Sequence, residues 1–165
     1  MRNLATLNKG AEAGIQIGMS VISVNGLVGT IVGVSQYYSV VELINNRNVK
    51  IPAILSESKK EGIITWQEGE NLLMNYISKT EDIKIGEIAT TSLFSDLFPE
   101  NIIIGEVINI EEEHGSHFYK ITIQPATRFF FFSQLFVIDF LKDPEKVKLI
   151  QEVENRIIEL RRRKN

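Results

Sequence analysis

The chain has 165 residues, 44% hydrophobic and 24% charged, with a formal net charge of −3 and no cysteine. These are ordinary globular proportions, and a chain of this length buries enough surface to fold without a disulfide or metal staple. The missing cysteine excludes a disulfide framework, thiol catalysis and cysteine-ligated zinc or iron–sulfur sites; the acidic balance argues against nucleic acid or anionic lipid as a partner.

The first residues, Met1-Arg2-Asn3-Leu4-Ala5-Thr6, lead straight into a strand pattern without the apolar core of a signal peptide. No apolar run is long enough to span a bilayer. The expectation is a soluble piece, such as remains when a longer protein is trimmed to its soluble part.

Short β signals then dominate to about residue 140. Val24-Asn25-Gly26-Leu27 places an Asn-Gly pair between apolar runs, which predicts a hairpin with both turn residues at positive φ. Gln67–Asn71 separates the runs Ile63–Trp66 and Leu72–Tyr76, and Glu113–Ser116 precedes the run His117–Ile123. In that last run Tyr119, Ile121 and Ile123 alternate with Lys120, Thr122 and Gln124, so one face is buried and one is wet.

The pattern is written twice. Ile15–Ser23 resembles Ile83–Thr91, and each is followed by a glycine-anchored run, Leu27–Val34 and Ile103–Ile110. A polar turn and a further strand follow each, Val40–Ile44 and Lys120–Ile123. Glycine inside a strand marks a bend or a close backbone approach, as at a barrel corner, and closing a sheet removes its exposed edges. The expected fold is mainly β, with two small barrels of the six-stranded type.

The end of the chain reads differently. Asp143-Pro144 is a helix start, and Val147, Ile150, Val153, Ile157 and Leu160 form an apolar stripe at helical spacing. This predicts a C-terminal α-helix over 143–162.

Four chemistries were weighed against the residues. A serine triad needs a histidine base beside a nucleophile, but His114 and His117 share one polar turn and no Gly-x-Ser-x-Gly elbow exists. Glu111, Glu112, Glu113, His114 and His117 match no metal-ligand spacing and read as a solvated hairpin tip. Gly26, Gly29 and Gly33 lead into no helix, so they build no dinucleotide or phosphate loop. Basic residues cluster only at the far C-terminus, unlike the basic groove of an oligonucleotide-binding barrel. The expectation is no enzyme, no cofactor and no metal.

What remains unusual is Arg128-Phe129-Phe130-Phe131-Phe132-Ser133-Gln134-Leu135-Phe136-Val137-Ile138; six of the nine phenylalanines lie from 129 onward. Side chains alternate along a strand, so four consecutive aromatics cannot all face one core. The run is a strand buried on both faces, an irregular aromatic turn between barrels, or a hydrophobic partner surface.

The stretch Leu7–Ile22 resembles the opening of the extracytoplasmic domain of the rod shape-determining MreC family. Asn25–Val32, Tyr38-Ser39, Ile83–Glu87, Thr91-Ser92, Phe98-Pro99 and Ile104–Val107 follow in that family's order. Pro125-Ala126, Phe129 and Leu135–Ile138 look like its closing strand, so the resemblance covers residues 4–140. It implies that the chain enters one barrel, crosses to a second and returns. Residues 1–50 plus 125–141 would form barrel one, and residues 51–124 barrel two.

The resemblance also implies a non-catalytic scaffold of the cell-wall elongation machinery, on the periplasmic side of the bacterial inner membrane. Such a scaffold self-associates and binds a class B penicillin-binding protein and membrane partners of the shape complex, linking them to a cytoplasmic actin-like filament. The alternative is a barrel adaptor module of a secretion or efflux assembly. Three departures stand out. The family's membrane helix and coiled coil are not in this chain. Its glycine-rich Thr-Ser-Gly-type loop reads Thr91–Asn101 here, without glycine. Phe130 and Phe131 stand where relatives place polar residues, which makes them the candidates for partner contact.

Overall fold

A computed structural model describes residues 3–95, 97–129, 132, 134–139, 152, 153 and 156. Eleven strands follow one another: β1 (Leu4–Leu7), β2 (Ser20–Ile22), β3 (Leu27–Val34), β4 (Ser39–Leu43), β5 (Lys50–Leu55), β6 (Glu61–Thr65), β7 (Leu72–Asn75), β8 (Ile88–Thr91), β9 (Ile103–Glu112), β10 (Tyr119–Pro125) and β11 (Phe136–Ile138). Strands β5 to β10 close a barrel in the order β10-β7-β6-β5-β8-β9. The others form a five-stranded sheet in the order β1-β4-β3-β2-β11.

The period-two residues do what their alternation requires. Leu72 and Met74 of β7 and Ile121 and Ile123 of β10 point inward, while Leu73, Thr122 and Gln124 lie on the outer side. Each such aliphatic side chain contributes roughly 1.5–3 kcal/mol on full burial. One apolar core runs through both parts, from Val21, Leu27 and Ile31 in the sheet to Leu55, Ile64 and Ile104 in the barrel.

The sequence repeat is a structural repeat. Val21 faces Gly29 and Ile22 faces Leu27 across a register shift; Ala89 faces Gly105 and Thr90 faces Ile103 across the same shift. A second irregularity recurs one turn on, where Ile31 faces Val41 and Gly33 faces Val40, matched by Val107 on Ile123 and Asn109 on Thr122. Gly18 and Gly86 hold φ at 93° and 94°. The Gly18 N–H donates to Ile31 O at 2.8 Å and the Ile31 N–H to Met19 O at 2.9 Å; the Gly86 N–H donates to Val107 O at 2.8 Å and the Val107 N–H to Glu87 O at 2.9 Å. Thus β2-β3-β4 and β8-β9-β10 are two copies of one unit.

Two expectations need correction or placement. Among the described residues one part closes as a six-stranded barrel, as expected, whereas the other is a five-stranded sheet rather than a second six-stranded barrel. There β1 pairs with β4 and the three-residue β11 pairs with β2, so the two outer strands do not meet. The C-terminal helix over 143–162 lies outside the described residues, apart from the separate helical positions Glu152, Val153 and Arg156. The elements described in full include no α-helix, only the 3-10 turn Ala11–Ala13.

Candidate partner surface

The two copies differ most in one link. In the first copy, β2 and β3 are joined by a tight turn, with the Ser23 N–H donating to Gly26 O at 2.8 Å. Ser23 Oγ accepts from the Asn25 and Gly26 N–H groups. Asn25 does not take the positive φ expected of it. The turn sits one residue earlier than the Asn-Gly pair suggests, because the serine hydroxyl caps it. Gly26 is needed for a different reason: a Cβ there would run into the Ile103 carbonyl of the second copy.

In the second copy the same link expands to residues 92–102. It is held from below. Phe98 is buried at 1% exposure, and its N–H donates to the hydroxyl of buried Ser95 at 3.0 Å. Thr91 Oγ1 donates to Pro99 O and accepts from the Ile102 N–H at 2.9 Å. The Ser92 N–H reaches Pro52 O at 3.0 Å, and Ser20 Oγ of β2 donates to Leu97 O at 2.9 Å. The loop has no glycine, and Asn101 supplies its left-handed residue at φ 64°, a conformation asparagine tolerates better than most side chains.

This anchoring leaves large apolar groups outside. Leu93 is 75% and Phe94 73% exposed. Phe94 and Tyr76 line an open groove of about 390 Å³ together with Pro52, Glu61, Gly62 and Ile63. Ser92 Oγ donates to Glu61 Oε1 at 3.2 Å, which ties the loop to the start of β6. A Cβ at Gly62 would meet Asn75 O at 2.6 Å and press on the buried side chains of Met74 and Ile77, so glycine lets β6 approach them closely. Tyr76 is 64% exposed at φ 71°, a backbone region that bulky residues rarely occupy. Its ring meets Phe118 edge-on at 5.9 Å. Phe94, Tyr76 and Phe118 therefore form an exposed apolar band on the outer wall of the barrel, with exposed Leu93 next to it in the chain, the kind of surface that marks an interaction site. The sequence reading missed it; the signal was the longer, glycine-free loop of the second copy.

The residues singled out beforehand fall elsewhere. Phe130 and Phe131 lie outside the described residues. Of their neighbours, Phe129 is buried in the core, Phe132 packs against it and Phe136 on β11 is exposed. His114 and His117 are exposed on the β9–β10 turn, and no metal-ligand cluster occurs among the described residues.

Glu87 was also missed as a site. It is 2% exposed, and its carboxylate accepts from the Ser58 N–H and Ser58 hydroxyl at 2.9 Å each and from the Lys84 N–H at 2.9 Å. Burial pushes its carboxyl up, but these donors outweigh burial and hold it below the ordinary carboxylate range. The first copy has Met19 at this position, whose Sδ accepts from the Gln16 N–H at 3.3 Å where Glu87 accepts from Lys84. The group is structural: it clamps the β5–β6 turn to the start of β8.

Comparison with known proteins agrees with this architecture. The family model "Rod shape-determining protein MreC, barrel core" matches residues 1–139. The cell shape-determining protein MreC of Caulobacter vibrioides is 28% identical over 106 residues, covering 64% of this chain and 31% of the relative. The chain thus spans about a third of that relative's length. A solved MreC structure superposes with a TM-score of 0.79 at 23% identity, covering 82% of this chain and 78% of that one. The MreC of Helicobacter pylori, solved as a complex with penicillin-binding protein PBP2, superposes with a TM-score of 0.55 at 19% identity, covering 72% and 74%. With the family model spanning the sheet, the barrel and the returning strand, the chain belongs to the MreC family of rod shape-determining proteins.

Proposed function

We propose that the chain is a non-catalytic scaffold on the periplasmic side of the bacterial inner membrane, serving the cell-wall elongation machinery by self-association and by binding a class B penicillin-binding protein. The observation that carries this reading is the exposed apolar band of Phe94, Tyr76 and Phe118, with Phe94 and neighbouring Leu93 on a firmly anchored loop. The Helicobacter pylori MreC solved in complex with penicillin-binding protein PBP2 supports a penicillin-binding protein as the kind of partner. In this reading residues 51–124 face the transpeptidase. Residues 1–50 plus 125–141 serve self-association, in keeping with the outer strands β1 and β11, each paired on one side only among the described residues. Membrane partners of the shape complex would complete the assembly.

The test is a binding titration against the soluble ectodomain of a class B transpeptidase from the same cell. Phe94→Ser combined with Tyr76→Asn is expected to weaken binding about tenfold or more, since truncated aromatic anchors commonly cost above 1 kcal/mol each. Both side chains are exposed, so the melting temperature should hold. An unchanged Kd with intact fold overturns the assignment of the band.

Phe130 and Phe131 are proposed as a second contact, directed at self-association. Replacing both with serine should lower the apparent mass in light scattering while circular dichroism stays unchanged. Loss of the fold instead would assign the pair to core packing.

A further inference from the structure

A cleft of about 580 Å³ lies where the chain crosses between sheet and barrel. It lies beside the matching ends of the two copies. The Ile44 N–H donates to Val28 O at 3.0 Å and the Ala126 N–H to Ile104 O at 2.9 Å, so Asn45 and Thr127 are equivalent positions. Both line the cleft and both are 4% exposed. Thr127 is satisfied by Ser23, with the two hydroxyls 3.0 Å apart. Asn45 is not: its Oδ1 is buried and accepts no hydrogen bond among the described residues. Buried polar groups are rarely left unpaired, because an unmade hydrogen bond leaves the desolvation of the group uncompensated. Rotation about χ2, a soft torsion, would turn that amide toward the cleft.

The rest of the lining narrows the chemistry. Arg128 supplies a cation, Glu70 an anion, and Asn71 and Gln124 supply amides that both donate and accept. Among the described residues Phe129 is the one aromatic residue lining the cleft, and at 8% exposure it offers little ring face. A single cation balanced by a carboxylate is a poor site for a polyphosphate. A volume of about 580 Å³ falls within the range of small-ligand sites. We propose that this cleft binds a short peptide with a free carboxylate end and a cationic end. Arg128 takes the carboxylate, Glu70 the cation, and Asn45 a main-chain N–H.

The probe is the tripeptide Lys-Ala-Ala, as the free acid and as the C-terminal amide, titrated into the isotope-labelled chain and followed by amide chemical shifts. The acid should give saturable shifts at Asn45, Asn71 and Gln124, and amidation should weaken it about tenfold, as for loss of one charge-assisted contact. Arg128→Ala, an exposed substitution, should weaken the acid by the same factor and leave the amide form unchanged. Asn45→Leu should raise the melting temperature of the free protein, by removing the orphaned amide, and abolish the shifts. Linear shifts up to about 10 mM, beyond any useful affinity, overturn the proposal. So does equal binding of acid and amide, or binding indifferent to Arg128→Ala.

Discussion

Replacing Gly105 with alanine is expected to destabilise the fold by about 3–5 kcal/mol, a large share of the 5–15 kcal/mol typical of a domain. A Cβ there would run into the Gln124 carbonyl and press on the Ile123 side chain, and neither can retreat without breaking the β9–β10 ladder. Gly29→Ala should cost a similar amount, because its Cβ would meet the Glu42 carbonyl at the matching place in the first copy. Gly69→Ala is the control. Gly69 has φ 75° but open space around its Cβ, so the substitution should cost only about 1–2 kcal/mol from the left-handed backbone. Urea midpoints of the three variants decide the matter. If Gly105→Ala and Gly69→Ala fall by equal amounts, close approach of the strands is not what the glycine serves.

Glu87 should govern the acid limb of stability. Its carboxyl is held below the usual value of 4.5 in the folded chain, so the unfolded chain takes up this proton first as pH falls. The contribution is fully present above pH 4.5 and is lost as pH drops toward and through the lower folded value. Glu87→Gln should flatten that part of the profile. Glu87→Ala should cost roughly 2–4 kcal/mol at neutral pH, since it strands the Ser58 and Lys84 N–H groups. Chemical denaturation of the three proteins between pH 3 and 7 reads both effects; an unaltered acid limb in Glu87→Gln would assign it to other carboxylates.

Much of this fold is legible in the residues because it is written twice. Gly18 and Gly86, Gly29 and Gly105 mark the same corners, and their strands follow at matched intervals. The register shifts were not legible, since a bulge moves one residue without changing the alternation around it. Nor was the strand count of the first sheet, five among the described residues: apolar alternation specifies a buried face, not how many strands share it. The candidate surface was hidden for a similar reason. Leu93, Phe94 and Phe98 look alike in sequence, and only the bonds of Ser92, Ser95 and Thr91 decide that Phe98 goes in while Leu93 and Phe94 stay out. Glu87 lay in a stretch recognised by pattern, yet its burial depends on Ser58, which is far off in sequence.

The return of the chain to the first sheet also sets an order of assembly. Strands β5 to β10 are consecutive and pair only among themselves, so the barrel can close once Pro125 has been synthesised. The sheet cannot be completed until Ile138 follows, because β11 supplies the pairing for β2. Joining β2 to β11 across an unfolded intervening chain would close a long loop at an entropic penalty. A barrel already formed removes most of that loop, since it carries Ala126 to the side of Gly26. The later half of the polypeptide thus acts as an internal template for finishing the earlier one, and synthesis from the N-terminus leaves β1 to β4 waiting for it.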